Sequence, residues 1–429
     1  MTRTDAADTP APSGPARRPR GGHSPFASTA PSILAAVGYG GAALVWVLAG
    51  ASWPGGRWLA VHLFTLGVLT NVVLAFSEHF GRTLTRTPVT PIRWQAPVAN
   101  VGILMVLVGL PTSTRWVIST GATIVTGVVL VSYWRLRQMR KQAVGARFGW
   151  IVRAYERAHG AFIHGAILGV LTGLGVVRGD WWFAARTAHL HVNLLGWGGI
   201  TLLATIVFFG PTMVRTRIVE GADDRAARAL RFGATGLTVG VLLLFATGVG
   251  TPWATPVRVA AATAIAMYAR AVTVVCWPVV TAARGAKPSA TRWAVIAVGV
   301  WFPVVAWADV AVVATGRWRL LDAVGLALFV GVLAQSVTAV LAYLAPMLRH
   351  RGFDRREQLL ARLGRGADVR AALWNAGAAG VVVAALVRGQ GGAVLARGGW
   401  AMVAVCALWL LAAAVSPSTD AHINVGDRS

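Results

Sequence analysis

Apolar runs long enough to cross a bilayer recur from about residue 32 almost to the C-terminus, and this constrains the chain more than anything else in it. They read as helices over 32–50, 57–78, 95–111, 116–134, 158–177 and 186–210. A second half follows with 232–250, 257–280, 292–315, 320–346, 370–387 and 397–416. Hydrocarbon leaves each backbone N–H to be paired within its own segment, so runs of this length become helices. The expectation is an all-α, polytopic membrane protein of about twelve transmembrane helices. Residues 1–31, rich in Pro, Ala and Arg, read as a disordered tail. The transmembrane domain is expected over 32–416, as a histidine-bearing half (32–210) and a second half (232–416), with a short tail over 417–429.

The charge balance tests this reading. Only 13% of the residues are charged, where a soluble domain needs roughly 25%. Yet 40 Lys and Arg face 15 Asp and Glu, a net charge of +25. A basic chain ordinarily suggests nucleic acid, but that requires a polar domain with a basic face. Here the cations alternate loop by loop instead. With the N-terminus cytoplasmic, 30 of them fall in inner segments, 9 in outer loops, and Arg270 within a helix. This is the positive-inside pattern. It predicts a multi-pass protein of the cell membrane with both termini cytoplasmic and no nucleic-acid partner. Arg17-Arg18 is a twin arginine, but the long apolar run that follows argues against a cleaved export signal. Many Trp residues, including Trp53, Trp116, Trp134 and Trp253, fall near helix ends, where indoles prefer the interface. Cys276 and Cys406 lie inside apolar runs with no metal spacing and read as core residues.

Chemistry, if present, must sit in the membrane, and the histidines point to where. His23, His350 and His422 lie in tails or loops, whereas His62, His79, His159, His164, His189 and His191 belong to three helices of the first half. Ionisable side chains at membrane depth are costly and by default suggest function. The helix directions sort the six by depth. His62, His189 and His191 form an expected outer cluster, and His79, His159 and His164 an inner one. The inner set has a simpler reading for His79 and His159 as interfacial or capping groups at helix ends.

The segment TAHLHVNLLGWGG (187–199) is the sharpest signal. At about 100° per residue, helix positions two apart diverge by about 160°, so His189 and His191 face different centres. Gly196 and Gly198 each follow one of these histidines by seven residues, leaving a groove that suits a flat macrocycle. Asn193, one turn from His189, is placed to orient a ligand or an imidazole. The alternative is that the glycines permit close helix contact and the histidines bond across helices. Asn71, Asn100 and Gln335 read as interhelical amides. Asp309 is a candidate proton or ion site, or a partner for Arg270.

The His-x-His segment distantly resembles that of haem–copper oxidase catalytic subunits, in which the two histidines serve two haems. That resemblance implies His62 and His191 as a low-spin pair, with His189 facing a second centre. No His-His pair is present for the oxidase copper site, and the helix order differs, which argues against oxygen reduction. The phrases HLFTLGVLTNVVLAFSEHF (62–80), HGAFIHG (159–165), HLHVNLLGWGG (189–199) and GVLAQSVTAVLAYLAPML (331–348) more closely resemble NnrS-type haem- and copper-containing membrane proteins. They are similar too to the membrane region fused to some actinobacterial multicopper oxidases. This resemblance implies haem b, a copper role resting on histidines alone, a nitric-oxide-related or electron-transfer function and a membrane or soluble redox partner. Two alternatives stand beside it: a secondary transporter without a redox cofactor, for which the halves should be structural repeats, and a membrane scaffold for partner subunits.

Overall fold

The computed structural model describes residues 28–50, 53–143, 147–250, 252–289, 291–349, 352–387 and 389–416. Arg17-Arg18, His23, His350, His422, most of the expected N-terminal tail and all of the expected C-terminal tail lie outside the described residues. Those residues are helical with short connections and contain no strand. In order the helices are α1 (Ala30–Ala49), α2 (Gly56–Thr85), α3 (Gln95–Gly109), α4 (Arg115–Lys141), α5 (Gly149–Gly173), α6 (Gly179–Met213) and α7 (Ala222–Val249). Then come α8 (Ala254–Arg284), α9 (Arg292–Thr315), α10 (Trp318–Met347), α11 (Phe353–Gly364), α12 (Ala367–Val387) and α13 (Gly389–Val415). Ten of these are long and apolar enough to span a membrane. The shorter α3 and the more charged α5 bring the arrangement into line with about twelve spans.

Several helices outrun their apolar cores. Helix α4 continues to Lys141 and α5 begins at Gly149, so most of the basic stretch 135–157, read from sequence as a loop, is helical. Arg is a good helix former, and Arg140 pairs with Glu156 across the two helices, which holds these charged turns in register. Residues 353–364, also within an expected loop, form α11, an amphipathic helix that buries Leu359 and Leu363.

Ion pairs mark the two rims. Glu78–Arg135, Arg140–Glu156, Arg147–Asp223 and Arg215–Glu357 lie at one end of the bundle, and Arg57–Asp322 at the other. They join helix ends that an up-and-down alternation brings together. The pairs differ in weight. Arg57 and Asp322 are 58% and 54% exposed, so Arg57→Ala is expected to cost less than about 1 kcal/mol. Glu156 is only 8% exposed, and Glu156→Ala would leave Arg140 uncompensated at a cost of roughly 3 kcal/mol. Thermal unfolding of the two variants in detergent checks the contrast, and equal shifts would refute it.

One continuous core joins the first ten helices. Helices α12 and α13 pack on each other where Gly377 and Gly399 meet without side chains between them. They reach the main body through Trp374 Nε1 donating to the Val330 carbonyl (3.1 Å) and Trp301 Nε1 donating to Asn375 (2.8 Å). Both cysteines are buried and unbridged, and Trp53, Trp116, Trp134 and Trp253 are exposed.

Three helices contain a stretch of π-helix: Leu63–Leu69 in α2, Val192–Ile200 in α6 and Ala327–Ala334 in α10. Such i→i+5 turns are rare and concentrate at functional sites. The three meet. At Gly198 an added Cβ would lie 3.0 Å from Leu69 of the first stretch and 3.2 Å from Leu333 of the third. Phe64 and Phe329 pack with ring centroids 4.4 Å apart.

Candidate functional site: a histidine pair and a buried His–Asp pair

His62 is the last α-helical residue before the π turn of α2, and His191 the last before that of α6. The widened turns set the orientation of each. His62 stacks on Trp58, with centroids 4.1 Å apart, and donates Nδ1–H to the Trp58 carbonyl (2.9 Å). His189 lies nearly parallel to it across the helix interface, with ring centroids 6.4 Å apart and planes inclined by 19°. His189 donates Nδ1–H to the Gly165 carbonyl of α5 (2.8 Å). A carbonyl only accepts, so both rings carry their proton on Nδ1 and present an unprotonated Nε2. Among the described residues neither Nε2 takes a hydrogen bond. Both rings are half-buried.

Helix α5 makes room for this pair. A Cβ at Gly169 would lie 2.8 Å from His189 Cε1, and one at Gly165 would overlap the Asn193 side chain. Asn193 donates to the His189 carbonyl (2.9 Å), and its amide nitrogen lies 3.3 Å from His189 Nδ1. Gly165, Gly169 and Trp58 therefore line the site, although the sequence reading gave them no role in it and took Trp58 for an interfacial indole. Their signal was a Gly-xxx-Gly pair facing the His-x-His helix and an indole one turn before a membrane histidine.

His191 turns the other way, as the divergence along the helix requires. It is fully buried, donates Nδ1–H to the Thr187 carbonyl (2.8 Å) and sets Nε2 3.0 Å from Asp309 Oδ1 of α9. With Nδ1–H committed, a proton lies between Nε2 and Oδ1, and the pair is neutral overall wherever that proton resides. Asp309 Oδ2 is buried with no hydrogen-bond partner among the described residues. Arg270 is exposed, so the partner of Asp309 is His191. Close by, the buried Tyr268 hydroxyl donates to the Leu195 carbonyl within the π turn (2.9 Å).

The glycines after the histidines are occupied by their neighbours. Gly196 faces Ala161, whose Cβ lies 2.8 Å from where its own would stand, and Gly198 is closed by Leu69 and Leu333. Close helix contact is thus what they provide, and the groove expected beneath His189 and His191 is filled. The donors left open are the two imidazole Nε2 atoms. Each binds a metal only through a lone pair in its own ring plane, so sharing one ion requires these nearly parallel rings, with centroids 6.4 Å apart, to meet edge to edge.

The inner histidines do not come together. His159 is buried, donates Nδ1–H to the Tyr155 carbonyl (2.8 Å) and accepts from Ser132 (3.0 Å), with Trp197 edge-on at 4.8 Å. His79 is buried at the basic rim beside Arg82, with Phe80 edge-on. His164 is exposed and donates to the Gly160 carbonyl (2.8 Å). It also sits at the level of His189, which bonds the adjacent Gly165, and so lies past the middle of α5 rather than in its inner half. Among the described residues no group of three or more His, Cys, Asp or Glu is placed to hold a metal ion. Asn71 and Asn100 exchange amide hydrogen bonds of 2.9 and 3.0 Å between α2 and α3, as an interhelical role predicts.

Fold and site together define a polytopic membrane protein with a bare imidazole pair on one side of a helix and a neutral His–Asp pair on the other. No family model matches the chain, and no curated protein is similar to it at a significant level.

Proposed function

We propose that this integral membrane protein binds a copper ion through His62 and His189, in a redox, nitric-oxide-related or metal-handling role; haem b is what the resemblance to NnrS-type proteins implies, although Ala161, Leu69 and Leu333 fill the groove expected for its macrocycle. The observation that carries the reading is the neighbouring pair of half-buried imidazoles, each with Nδ1 fixed on a backbone carbonyl and Nε2 left open. That arrangement fixes tautomer and ring orientation as the outer hydrogen bonds of metal-ligating histidines do. Bound there, such a metal supplies one-electron chemistry within the bilayer. The chain's own part is to aim the two rings, through the Trp58 stack on one side and the Gly165–Gly169 face on the other. The resemblance to NnrS-type proteins points the same way and carries with it a membrane or soluble redox partner. The concentration of Lys and Arg at one rim supports a cell-membrane protein with cytoplasmic termini.

The test is an optical spectrum with metal analysis of the full chain purified from haem-replete, copper-supplied cells. A Soret band supports haem, and stoichiometric copper without one supports the ion. A colourless, metal-free protein sinks the proposal. Gly169→Ala places a methyl group against His189 and is expected to lower metal retention roughly tenfold with helix content unchanged. Unaltered retention would show that the His189 ring is not held by this contact.

A further inference from the structure

A recess of about 350 Å³ opens between the α2–α3 connection and the last turns of α4, lined by Val89, Val131, Trp134, Arg135, Gln138 and Gln142. Four of the six come from α4 and Gln142 follows as its C-cap; spaced one to four residues apart, they form one face of that helix. Their order follows the axis of α4, a helix long and apolar enough to span the membrane. Val131 is deepest, then come the half-exposed indole of Trp134 and the Arg135 guanidinium, and the amides of Gln138 and Gln142 lie toward the basic rim. From Val131 to Gln142 the helix rises about 16 Å, enough to pass from acyl chain to headgroup.

The charge around the recess is unbalanced. Glu78 and the Thr90 carbonyl fix the Arg135 guanidinium in the wall. Arg82 also lies near Glu78, and the Arg137 guanidinium sits 5.5 Å over the Trp134 ring. Arg86 and Arg93 lie in the adjoining connection. One carboxylate thus faces several guanidinium groups. The volume falls in the range of small-molecule sites, roughly 300–1,000 Å³.

We propose that this recess seats one phospholipid with an anionic headgroup. Its acyl chain lies along Val131, its glycerol beside Trp134 and Val89, and its phosphate against the Gln138 and Gln142 amides in the field of the arginines. An apolar-to-polar sequence of lining groups along the membrane normal is what an amphiphile requires, and the surplus positive charge selects the anionic class. The site is separate from the histidine pair and does not depend on metal.

The experiment counts lipids retained by the full chain after extraction from nanodiscs of mixed phosphatidylglycerol and phosphatidylcholine, using native mass spectrometry. Phosphatidylglycerol is expected to be retained about fivefold over phosphatidylcholine. The exposed double substitution Gln138→Glu with Gln142→Glu should abolish the preference without unfolding the protein, and Val131→Trp should displace both lipids by filling the recess. Millimolar inorganic phosphate should not release the lipid. Equal retention of the two lipids, a preference unchanged in the double variant, or release by free phosphate would each overturn the proposal.

Discussion

Replacing His189 by alanine is expected to abolish metal binding, lowering retained haem or copper by roughly 100-fold or more, beyond the range seen for outer-sphere changes. His62→Ala should do the same. His191→Ala should leave metal content within a few-fold of the parent protein. The asymmetry follows from the ring partners. His62 and His189 are neighbours with Nδ1 committed and Nε2 open, whereas both nitrogens of His191 are committed, to Thr187 and to Asp309. The haem–copper oxidase resemblance gives the opposite order, because there His62 would be matched with His191. Metal analysis and optical spectra of the three variants decide between them. Loss of metal in His191→Ala with retention in His189→Ala would overturn the assignment of the pair.

The second large effect is on stability. Asp309→Ala removes the partner of a fully buried imidazole, and His191→Ala strands a carboxylate that is 3% exposed. Breaking a buried pair from one side costs about 3–5 kcal/mol, a large share of a typical 5–15 kcal/mol. Replacing both by leucine leaves no unpaired polar group and is expected to recover most of that loss. Thermal unfolding of the two single variants and the double variant in detergent measures the coupling. Single variants that unfold with the parent protein would show that the His191–Asp309 contact carries no such weight.

The sequence disclosed the membrane class, the approximate set of helices and their alternating direction, because hydropathy and charge placement are properties of long windows. The rim ion pairs join helix ends as that alternation requires. It disclosed His189 and His191 as residues facing apart, since that rests on local helical geometry. It did not disclose which neighbour each would meet. Depth can be read from loop charges, but rotation about the helix axis cannot, and rotation is what joins His62 to His189 while sending His191 to Asp309. The inner cluster was a grouping by depth alone. Its members turn to Ser132, to the basic rim and to the surface. His164 was set at a different depth from His189, whose ring bonds the neighbouring Gly165 carbonyl; charged residues at the start of α5 also hid nine helical residues from a hydropathy window. The π turns left only an indirect sign, glycines at Gly67, Gly196, Gly198, Gly199 and Gly331 within apolar helices.

Those turns have a consequence for how α6 serves two sets of neighbours at once. Its upper part must point His189 at α2 and His191 at α9, while its lower part must pack Trp197 against His159. A uniform α-helix has a single angular phase, so satisfying one set would fix the other. The Val192–Ile200 segment introduces an offset between them. Deleting one residue there would restore ordinary pitch and rotate one half against the other by about 100°. The two histidine pairs and the helix below them could then no longer keep their partners together.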